Sequence, residues 1–301
     1  MGRSDPLSHF LAGQLSDRTR RAYATDLREF FGTLDISLDM VRAVAFDDVI
    51  AYRNELVKRG YRRSTINRKL SSLKSFYRMV VAAGLIERNP ADRSLVRGFR
   101  LEERPSGKAI PTESLERILS AVGSVEDELV RDRDAALVHL LTYGGLRRSE
   151  AAGMNWEHIR QEGSFVVLDL PETKSGVPQD IKLQPLVLEC LQRYGATLVR
   201  HGYSRSGPVF ISLSRNASRG RRLTGQSINL IVKRHALRAG VPAKVTAHMF
   251  RHTCCTLAIE GGARPQQVQA HLRHRDLKTT MRYYENRDRL ADNASDYIKI
   301  G

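Results

Sequence analysis

An irregular, charged segment most constrains the fold of this chain, because it separates two regions of different pattern. Residues 97–111 read RGFRLEERPSGKAIP, with two prolines, two glycines and no regular apolar period. Such a composition is typical of an exposed linker. The length of 301 residues also exceeds that of one typical small domain. We therefore expect two domains, at residues 1–100 and 110–301, joined by a linker at residues 101–109.

The first domain is predicted to be helical throughout. Ser16 is a candidate N-cap, and it is followed at helical spacing by Tyr23, Leu27, Phe30 and Phe31. A second helix is predicted over residues 46–58, with Gly60 closing it. Ser64 can cap a third helix, whose single apolar stripe comprises Ile66, Leu70, Leu73, Phe76, Tyr77 and Val80. These patterns predict an all-α helical bundle.

Basic residues are concentrated at the end of this domain. Residues 58–100 contain twelve Lys or Arg against two acids, and the formal net charge of the whole chain is +16. Such a field attracts polyanions, so nucleic acid is the expected partner, although a generically basic protein would show the same charge. The basic residues that lie off the apolar stripe and are predicted to reach DNA phosphates are Arg62, Arg63, Arg68, Lys69 and Lys74.

The second domain shows a mixed pattern. Helices are predicted from residue 112 and over residues 132–142. Residues 165–170 and 180–183 have the composition of two short strands, and the turn TKSG between them contains Lys174. The remainder returns to helical spacing. We therefore predict a mainly α domain with a small antiparallel sheet, which is an α+β fold.

Targeting and redox signals are absent from the sequence. The N-terminal residues MGRSDPLSHF lack the order of a signal peptide, and the longest apolar run is too short to span a bilayer. We expect a cytoplasmic protein that is associated with the nucleoid when bound to DNA and has no membrane partner. Cys190, Cys254 and Cys255 form no CxxC pair, so reduced thiols are expected.

Two segments bring basic residues to places that suit a phosphate. In TYGGLRRSEAAGMNW, Arg147 follows a Gly-Gly turn at the start of a helix, and Glu150 lies one turn further on. A surface ion pair between these two residues is the alternative. In TAHMFRHT, His248 and Arg251 share one helical face. The alternative there is a metal site at His248 and His252, but the segment lacks the glutamate of an HExxH motif.

A third segment supplies a candidate nucleophile. HLRHRDLKTTMRYYE contains His274 and, nine residues later, Tyr283. A tyrosine can attack a phosphodiester when surrounding cations favour the phenolate. The alternative is a half-buried Tyr-Tyr pair in a helix.

Taken in order, these segments resemble the tyrosine recombinase family. The resemblance is carried by GLRRSE, a hairpin lysine, HMFRHT, and LRH followed by Tyr283. The early segments TRRAYATDLREFF and STINRKLSSLKSFYRMVVAAGLIERNPA are similar to the family's core-binding domain, and residues from about Lys108 onward are similar to its catalytic domain. The resemblance implies a DNA breaking-rejoining catalytic fold. Because the core-binding region begins almost at the start of the sequence, the expected type is the compact Xer-like or transposon-resolvase kind.

The resemblance also implies roles for single residues. Arg147 and Arg251 would hold the non-bridging oxygens of the scissile phosphate, where negative charge grows in the transition state. His248 would assist proton transfer from the nucleophile Tyr283, and His274 would donate a hydrogen bond to the phosphate.

The hairpin lysines and two residues that neighbour the phosphate-binding groups would have further roles. Lys174 would protonate the departing 5′ oxygen, with Lys182 as a competing candidate within a strand. Glu150 would orient a neighbouring Arg or His. Arg273 departs from the family pattern, which usually has glycine at this place, and this puts the local backbone geometry in doubt. Its side chain would either contact a phosphate or face solvent.

The implied reaction consists of two transesterifications through a 3′-phosphotyrosine and a Holliday junction. It needs no nucleotide and no metal cofactor, in keeping with the lack of a GxxxxGK[ST] motif. The partners would be double-stranded DNA with an inverted-repeat site, a homotetramer on paired sites, and in some systems a related recombinase or accessory protein. Alternatives are a topoisomerase-like relaxing activity, a DNA-binding regulator with an unused catalytic site, and an RNA-binding protein, although no RRM or KH signature is visible.

The last residues of the chain form a further amphipathic pattern. Leu290, Ala294, Tyr297 and Ile298 follow helical spacing. So short a helix needs a groove that buries its stripe. The resemblance favours docking on a neighbouring protomer, and docking on its own domain is the alternative.

Overall fold

The structure, a computed structural model, describes residues 6–14, 17–100, 109–170, 179–214, 218–242, 244–274, 276–281 and 283. The chain divides into two compact units, Met1–Glu103 and Arg104–Gly301, called here the first and the second unit. The linker residues 101–108, the hairpin tip with Lys174 and the C-terminal stripe lie outside the described residues. Within the described ranges, no helix combines the length and the apolar character needed to cross a membrane.

The regular elements in the described part of the first unit are all helices. They are α1 (Pro6–Ala12), α2 (Asp17–Phe31), α3 (Leu38–Ala43), α4 (Phe46–Lys58) and α5 (Arg63–Ala82). The apolar stripe of α5 faces inward, where Phe76 and Tyr77 are fully buried together with Leu27 of α2 and Leu56 of α4. The prediction of an all-α domain is confirmed.

The ends of these helices follow the predicted signals only in part. α4 ends as predicted, and Gly60 beyond it has φ +74°, a left-handed conformation that favours glycine. The predicted cap Ser64 is wrong, because the N-cap of α5 is Arg62, two residues earlier, and it makes no side-chain capping bond.

The predicted DNA-facing residues divide into exposed and paired side chains. Arg62, Arg63 and Arg68 are exposed, and Arg68 also pairs with the Asp26 carboxylate of α2. Lys69 is buried, with 3% of its surface exposed.

The prediction that Lys69 reaches phosphates is therefore wrong. Its ammonium Nζ lies 3.4 Å from Oδ1 of Asp26 and also pairs with Glu29. Asp26 is itself buried and accepts a further hydrogen bond of 2.6 Å from Ser72. A buried carboxylate needs a charged or hydrogen-bonding partner, and Lys69 meets that need for Asp26 at the interface between α2 and α5.

A matched set of substitutions separates these two groups. Replacing Arg62 and Arg63 with alanine is expected to weaken DNA binding and to lower the slope of log affinity against log salt by about one per lost phosphate contact. Lys69→Met is expected instead to lower the free energy of unfolding by about 3 kcal/mol, because it leaves Asp26 with one partner fewer. Mobility-shift titrations at several salt concentrations and denaturant unfolding measure the two effects. A Lys69→Met protein of unchanged stability but weaker DNA binding would contradict the assignment.

The second unit combines helices with a small sheet. Its helices are α6 (Thr112–Gly123), α7 (Glu128–Gly144), α8 (Arg148–Gly153), α9 (Pro185–Arg200), α10 (Gly225–Arg238), α11 (Ala247–Glu260) and α12 (Pro265–Leu272). Its strands are β1 (Ile159–Glu162), β2 (Phe165–Leu170) and β3 (Gln179–Lys182), which pair antiparallel in the order β1-β2-β3. The predicted α+β fold with a small antiparallel sheet is confirmed. β1 was not predicted, because its residues are mostly polar and exposed.

The centre of the second unit is α7, which packs against α9 and α11. Its side chains Leu137, Val138, Leu140 and Leu141 are fully buried. Gly145 is the C-cap of α7, and its φ of +55° turns the chain toward α8. A Cβ atom at this glycine would come within 2.4 Å of Leu272 and 3.2 Å of Cys254. The turn after α7 thus lies directly against α11, which carries His248 and Arg251, and against the end of α12, which is followed by His274.

Candidate active site

Arg147 and Glu150 are joined at the start of α8. Arg147 is the N-cap of this helix, and its backbone N–H donates to Oε2 of Glu150 at 2.7 Å. Its guanidinium Nη1 donates to Oε1 of the same carboxylate at 2.5 Å. The Glu150 side chain is 6% exposed and that of Arg147 is 36% exposed. The predicted ion pair therefore has a buried acid and a guanidinium that remains accessible.

Charge around Glu150 keeps the carboxylate ionised. Burial alone would raise its pKa, but Arg273 and then the hydrogen bonds and charge of Arg147 outweigh burial and lower the pKa below the usual value. Two arginines therefore share one carboxylate.

Arg251 connects three elements of the second unit. From α11 its guanidinium donates to the carbonyl of Gly145 at 2.7 Å and also to the carbonyl of Leu272 at the end of α12. Burial, followed by the positive charges of Arg147 and Arg273, lowers the pKa of Arg251 to about 10. The group still carries its charge at neutral pH.

The candidate nucleophile Tyr283 contacts a histidine other than the one assigned to it. Its hydroxyl is hydrogen-bonded to Nδ1 of His252, and its ring packs on the small apolar cluster of Cys254, Cys255, Ile259, Val268 and Leu272. His248, the predicted proton acceptor, is exposed, and its ring centroid lies 4.5 Å from that of His252. Sequence reasoning considered His252 only as a metal ligand. The sequence signal that could have identified His252 is its spacing of four residues from His248, which puts both imidazoles on the same face of α11.

Burial and charge set the protonation states around Tyr283. Burial raises the pKa of Tyr283, with a further contribution from Cys255 that Arg251 opposes. Burial, followed by the charges of His248 and Arg251, lowers the pKa of His252 to about 4. A neutral His252 next to a protonated Tyr283 is therefore the resting state at neutral pH.

His274 lies just after α12, where its Nδ1 is 2.9 Å from the hydroxyl of Thr280. Burial, followed by the charges of Arg251 and Arg147, lowers the pKa of His274 to about 4. The His274 imidazole is therefore close enough to Arg147 and Arg251 for both positive charges to disfavour its protonation.

Arg273, the departure from the family pattern, is a buried member of the cluster. Its backbone has φ 55° and ψ 47°, in the left-handed region. Its Nη2 donates to Oε2 of Glu150 at 2.9 Å, and its Nη1 donates to the carbonyl of His271 at 2.7 Å. Of the two alternatives stated for this side chain, the solvent-facing one is wrong, because Arg273 is buried and paired with Glu150.

The hairpin lysine remains a prediction. Lys174 lies outside the described residues. Its competitor Lys182 is on β3, where its ammonium nitrogen lies 4.4 Å from the centre of the Phe165 ring. In the described parts of the chain, no group of three His, Cys, Asp or Glu residues is arranged to hold a metal ion.

The lowered histidine pKa values predict a loss of stability in mild acid. Below about pH 6.5 an unfolded histidine binds a proton, whereas folded His252 and His274 do so only near pH 4. The unfolded state then binds more protons, so stability falls as pH drops from about 6.5 to about 4 and is constant above this window. The expected loss is up to about 3 kcal/mol for the buried His252 and smaller for the partly buried His274.

Trp156 reports this loss selectively, because it is the single tryptophan of the chain and lies buried in the second unit. Unfolding followed by its fluorescence should show a weaker pH dependence in His252→Gln. The exposed His248→Gln serves as the control and should retain most of the dependence. Equal curves for parent and His252→Gln would show that His252 is not held neutral.

Comparison with known proteins finds similarity along both units. Residues 108–289 match the sequence model of the phage integrase family, and residues 9–84 match that of the phage integrase N-terminal SAM-like domain. The tyrosine recombinase XerD of Pseudomonas aeruginosa is 32% identical over 288 residues, which cover 92% of this chain and 90% of that protein. The tyrosine recombinase XerC of Thermodesulfovibrio yellowstonii is 28% identical over 270 residues, which cover 89% and 85%.

Among solved structures, a lambda integrase dimer bound to a COC′ core site matches with a TM-score of 0.71 and 17% identity, covering 98% of this chain and 96% of that chain. The XerH recombinase bound to a palindromic difH substrate matches with a TM-score of 0.68 and 18% identity, covering 92% and 80%. At such identities the likeness concerns the fold alone.

Proposed function

We propose a strand-exchange mechanism for this chain, which belongs to the phage integrase family and is a tyrosine site-specific recombinase. The observation that carries the mechanism is the position of the Tyr283 hydroxyl, which contacts His252 on the helix that also carries Arg251. A nucleophile, two neutral imidazoles and accessible positive charge are the groups that phosphodiester transfer requires.

The first transesterification joins the protein to DNA. The Tyr283 oxygen forms a bond to the scissile phosphorus, and the bond from phosphorus to the 5′ oxygen breaks. The hydroxyl proton passes to a histidine, and the departing 5′ oxygen receives a proton from Lys174. A 5′-hydroxyl of the partner duplex then attacks the 3′-phosphotyrosine and releases Tyr283. Each step exchanges one phosphodiester for another, so the bond energy is retained.

Positive charge at the phosphate comes from Arg147 and Arg251. Arg147 holds an accessible guanidinium at a helix N-terminus, where backbone amides also favour anions. Arg251 is fixed by two backbone carbonyls, so its position costs no reorganisation when charge develops. His274 donates a hydrogen bond to the same phosphate.

Two histidines compete for the proton of Tyr283. The family resemblance assigns it to His248, whereas the hydroxyl is bonded to His252 in this structure. His252 is the hydrogen-bond partner of the hydroxyl before DNA binds, so it is the first group in line to accept the proton during attack, and the exposed His248 beside it can pass the proton on to solvent or to the phosphate. We therefore assign the pair, with His252 as the direct partner.

The substrate proposed is double-stranded DNA with an inverted-repeat site in the cytoplasm, bound by four protomers that form a Holliday junction. Two of its fold relatives, the lambda integrase dimer and the XerH recombinase, were solved bound to a COC′ core site and to a difH substrate, which supports this substrate class. The topoisomerase-like alternative uses the same cleavage step without a partner duplex. Supercoiled plasmids with two sites, one site or none separate the two, because only recombination requires a pair of sites.

Cleavage is expected to continue in excess EDTA and without added nucleotide. Guanidinium groups supply the charge that metal ions provide in other phosphoryl-transfer enzymes. The assay uses a nicked suicide substrate that carries an inverted-repeat site to which the protein binds specifically, and it measures the covalent protein–DNA band after denaturation. A band that disappears in EDTA and returns with magnesium would overturn this mechanism.

A further inference from the structure

Arg273 occupies a backbone position that ordinarily suits glycine. Among the described residues it is the one non-glycine with positive φ. A residue with a Cβ in this left-handed region costs about 1 kcal/mol or more, so its side chain must gain enough elsewhere to compensate.

That compensation comes from the Glu150 carboxylate and the His271 carbonyl. The Arg273 side chain is 2% exposed, and its ion pair with Glu150 joins residues 123 positions apart. Its Nε has no hydrogen-bond partner in the described part of the chain. The pair with Glu150 and the bond to the His271 carbonyl therefore balance the burial of its charge.

Glu150 consequently bridges two arginines. Its Oε2 accepts from Arg273 and from the backbone of Arg147, and its Oε1 accepts from the Arg147 guanidinium. Among the charges that stabilise the ionised carboxylate, Arg273 contributes more than Arg147. The three side chains together carry a net charge of +1. Without Arg273 the net charge of the remaining pair is zero.

We propose that Arg273 is a positioning residue that neutralises Glu150, so that the carboxylate orients Arg147 without cancelling its charge at the scissile phosphate. This rests on the proposed function of Arg147 as a phosphate clamp. Glu150 supplies geometry through two hydrogen bonds to Arg147, and Arg273 offsets the electrostatic cost of that geometry. In this chain a third arginine thus supports the clamp from a place that needs no contact with DNA.

The test is single-turnover cleavage of the nicked suicide substrate at saturating protein. Arg273→Gly relieves the backbone and removes the charge, and it is expected to slow cleavage about 10- to 100-fold with DNA affinity changed less than about 3-fold. Arg273→Lys keeps the charge and is expected to retain more activity than Arg273→Gly. Folding of each variant is judged by Trp156 fluorescence. If Arg273→Gly does not fold, Arg273→Gln replaces it, because glutamine also removes the charge and the same slower cleavage is expected.

The double variant Glu150→Gln/Arg273→Gly gives the decisive comparison. Glutamine keeps an oxygen that accepts from Arg147 but removes the negative charge, so the double variant should cleave faster than Arg273→Gly alone. A loss that Glu150→Gln does not relieve would overturn the proposal in favour of a direct phosphate contact. Cleavage by Arg273→Gly at the parent rate would overturn it in favour of a purely structural role. A parent protein that forms no adduct would instead refute the proposed function itself.

Discussion

Replacing Tyr283 with phenylalanine is expected to abolish covalent complex formation while leaving specific DNA binding within about 3-fold of the parent. The substitution removes the oxygen that attacks phosphorus and keeps the ring that packs against the apolar cluster containing Cys254, Cys255 and Leu272. Loss of an essential nucleophile typically lowers turnover by several powers of ten, so cleavage should fall by at least about 1000-fold. The hydrogen bond to His252 is also lost, at a cost of about 1 kcal/mol in stability.

The adjacent Tyr284 provides the matched control, since Tyr284→Phe removes the same atom one residue later. That variant should still form the denaturation-resistant band on the nicked suicide substrate. If Tyr284→Phe lost the band and Tyr283→Phe kept it, the nucleophile would be misassigned.

Arg147→Ala is expected to slow cleavage by about 100- to 1000-fold, which is the typical effect of removing one group that stabilises developing charge. The guanidinium is partly exposed and its only described side-chain partner is Glu150, so the melting temperature should fall by only a few degrees. The loss should appear in the single-turnover rate rather than in DNA affinity.

Arg148→Ala is the control for Arg147→Ala, because the neighbouring arginine is exposed and its removal changes the net charge equally. It should cleave at close to the parent rate. Equal losses in the two variants would mean that overall charge, rather than a clamp at residue 147, supports the reaction.

Arg251→Ala should differ from both, since Arg251 also holds the Gly145 and Leu272 carbonyls together and its loss should lower stability as well as rate.

Sequence periodicity was sufficient to predict part of the secondary structure of each unit. The helix at residues 46–58 and the strand at residues 165–170 have the predicted bounds, because local apolar spacing reflects burial on one face. The edge strand β1 escaped prediction because most of its side chains are exposed.

Polar partners that are distant in sequence could not be predicted in the same way. Lys69 is buried because Asp26 and Glu29, some 40 residues earlier, lie against it. The pairing of Arg273 with Glu150 across 123 positions depends on how α8 and α12 approach each other. A sequence pattern identifies such side chains as charged, but only tertiary packing determines which charges meet.

The same distinction applies to the active site. The order and spacing of the motifs brought Arg147, Arg251, His274 and Tyr283 forward as one set, and the structure places them in a shared electrostatic environment. The bond between Tyr283 and His252 depends on a rotamer and a chain path that spacing does not define.

The central claim, that Tyr283 becomes covalently joined to a 3′ phosphate, is tested most directly by mass spectrometry of the trapped protein–DNA complex. After nuclease and trypsin digestion, the peptide YYENR at residues 283–287 should carry a nucleotide through its first tyrosine, and fragmentation distinguishes the two neighbouring tyrosines. The linkage should be to the 3′ phosphate, leaving a free 5′-hydroxyl on the released strand. A modification on Tyr284 or on another peptide, or a 5′-phosphate linkage, would contradict the mechanism.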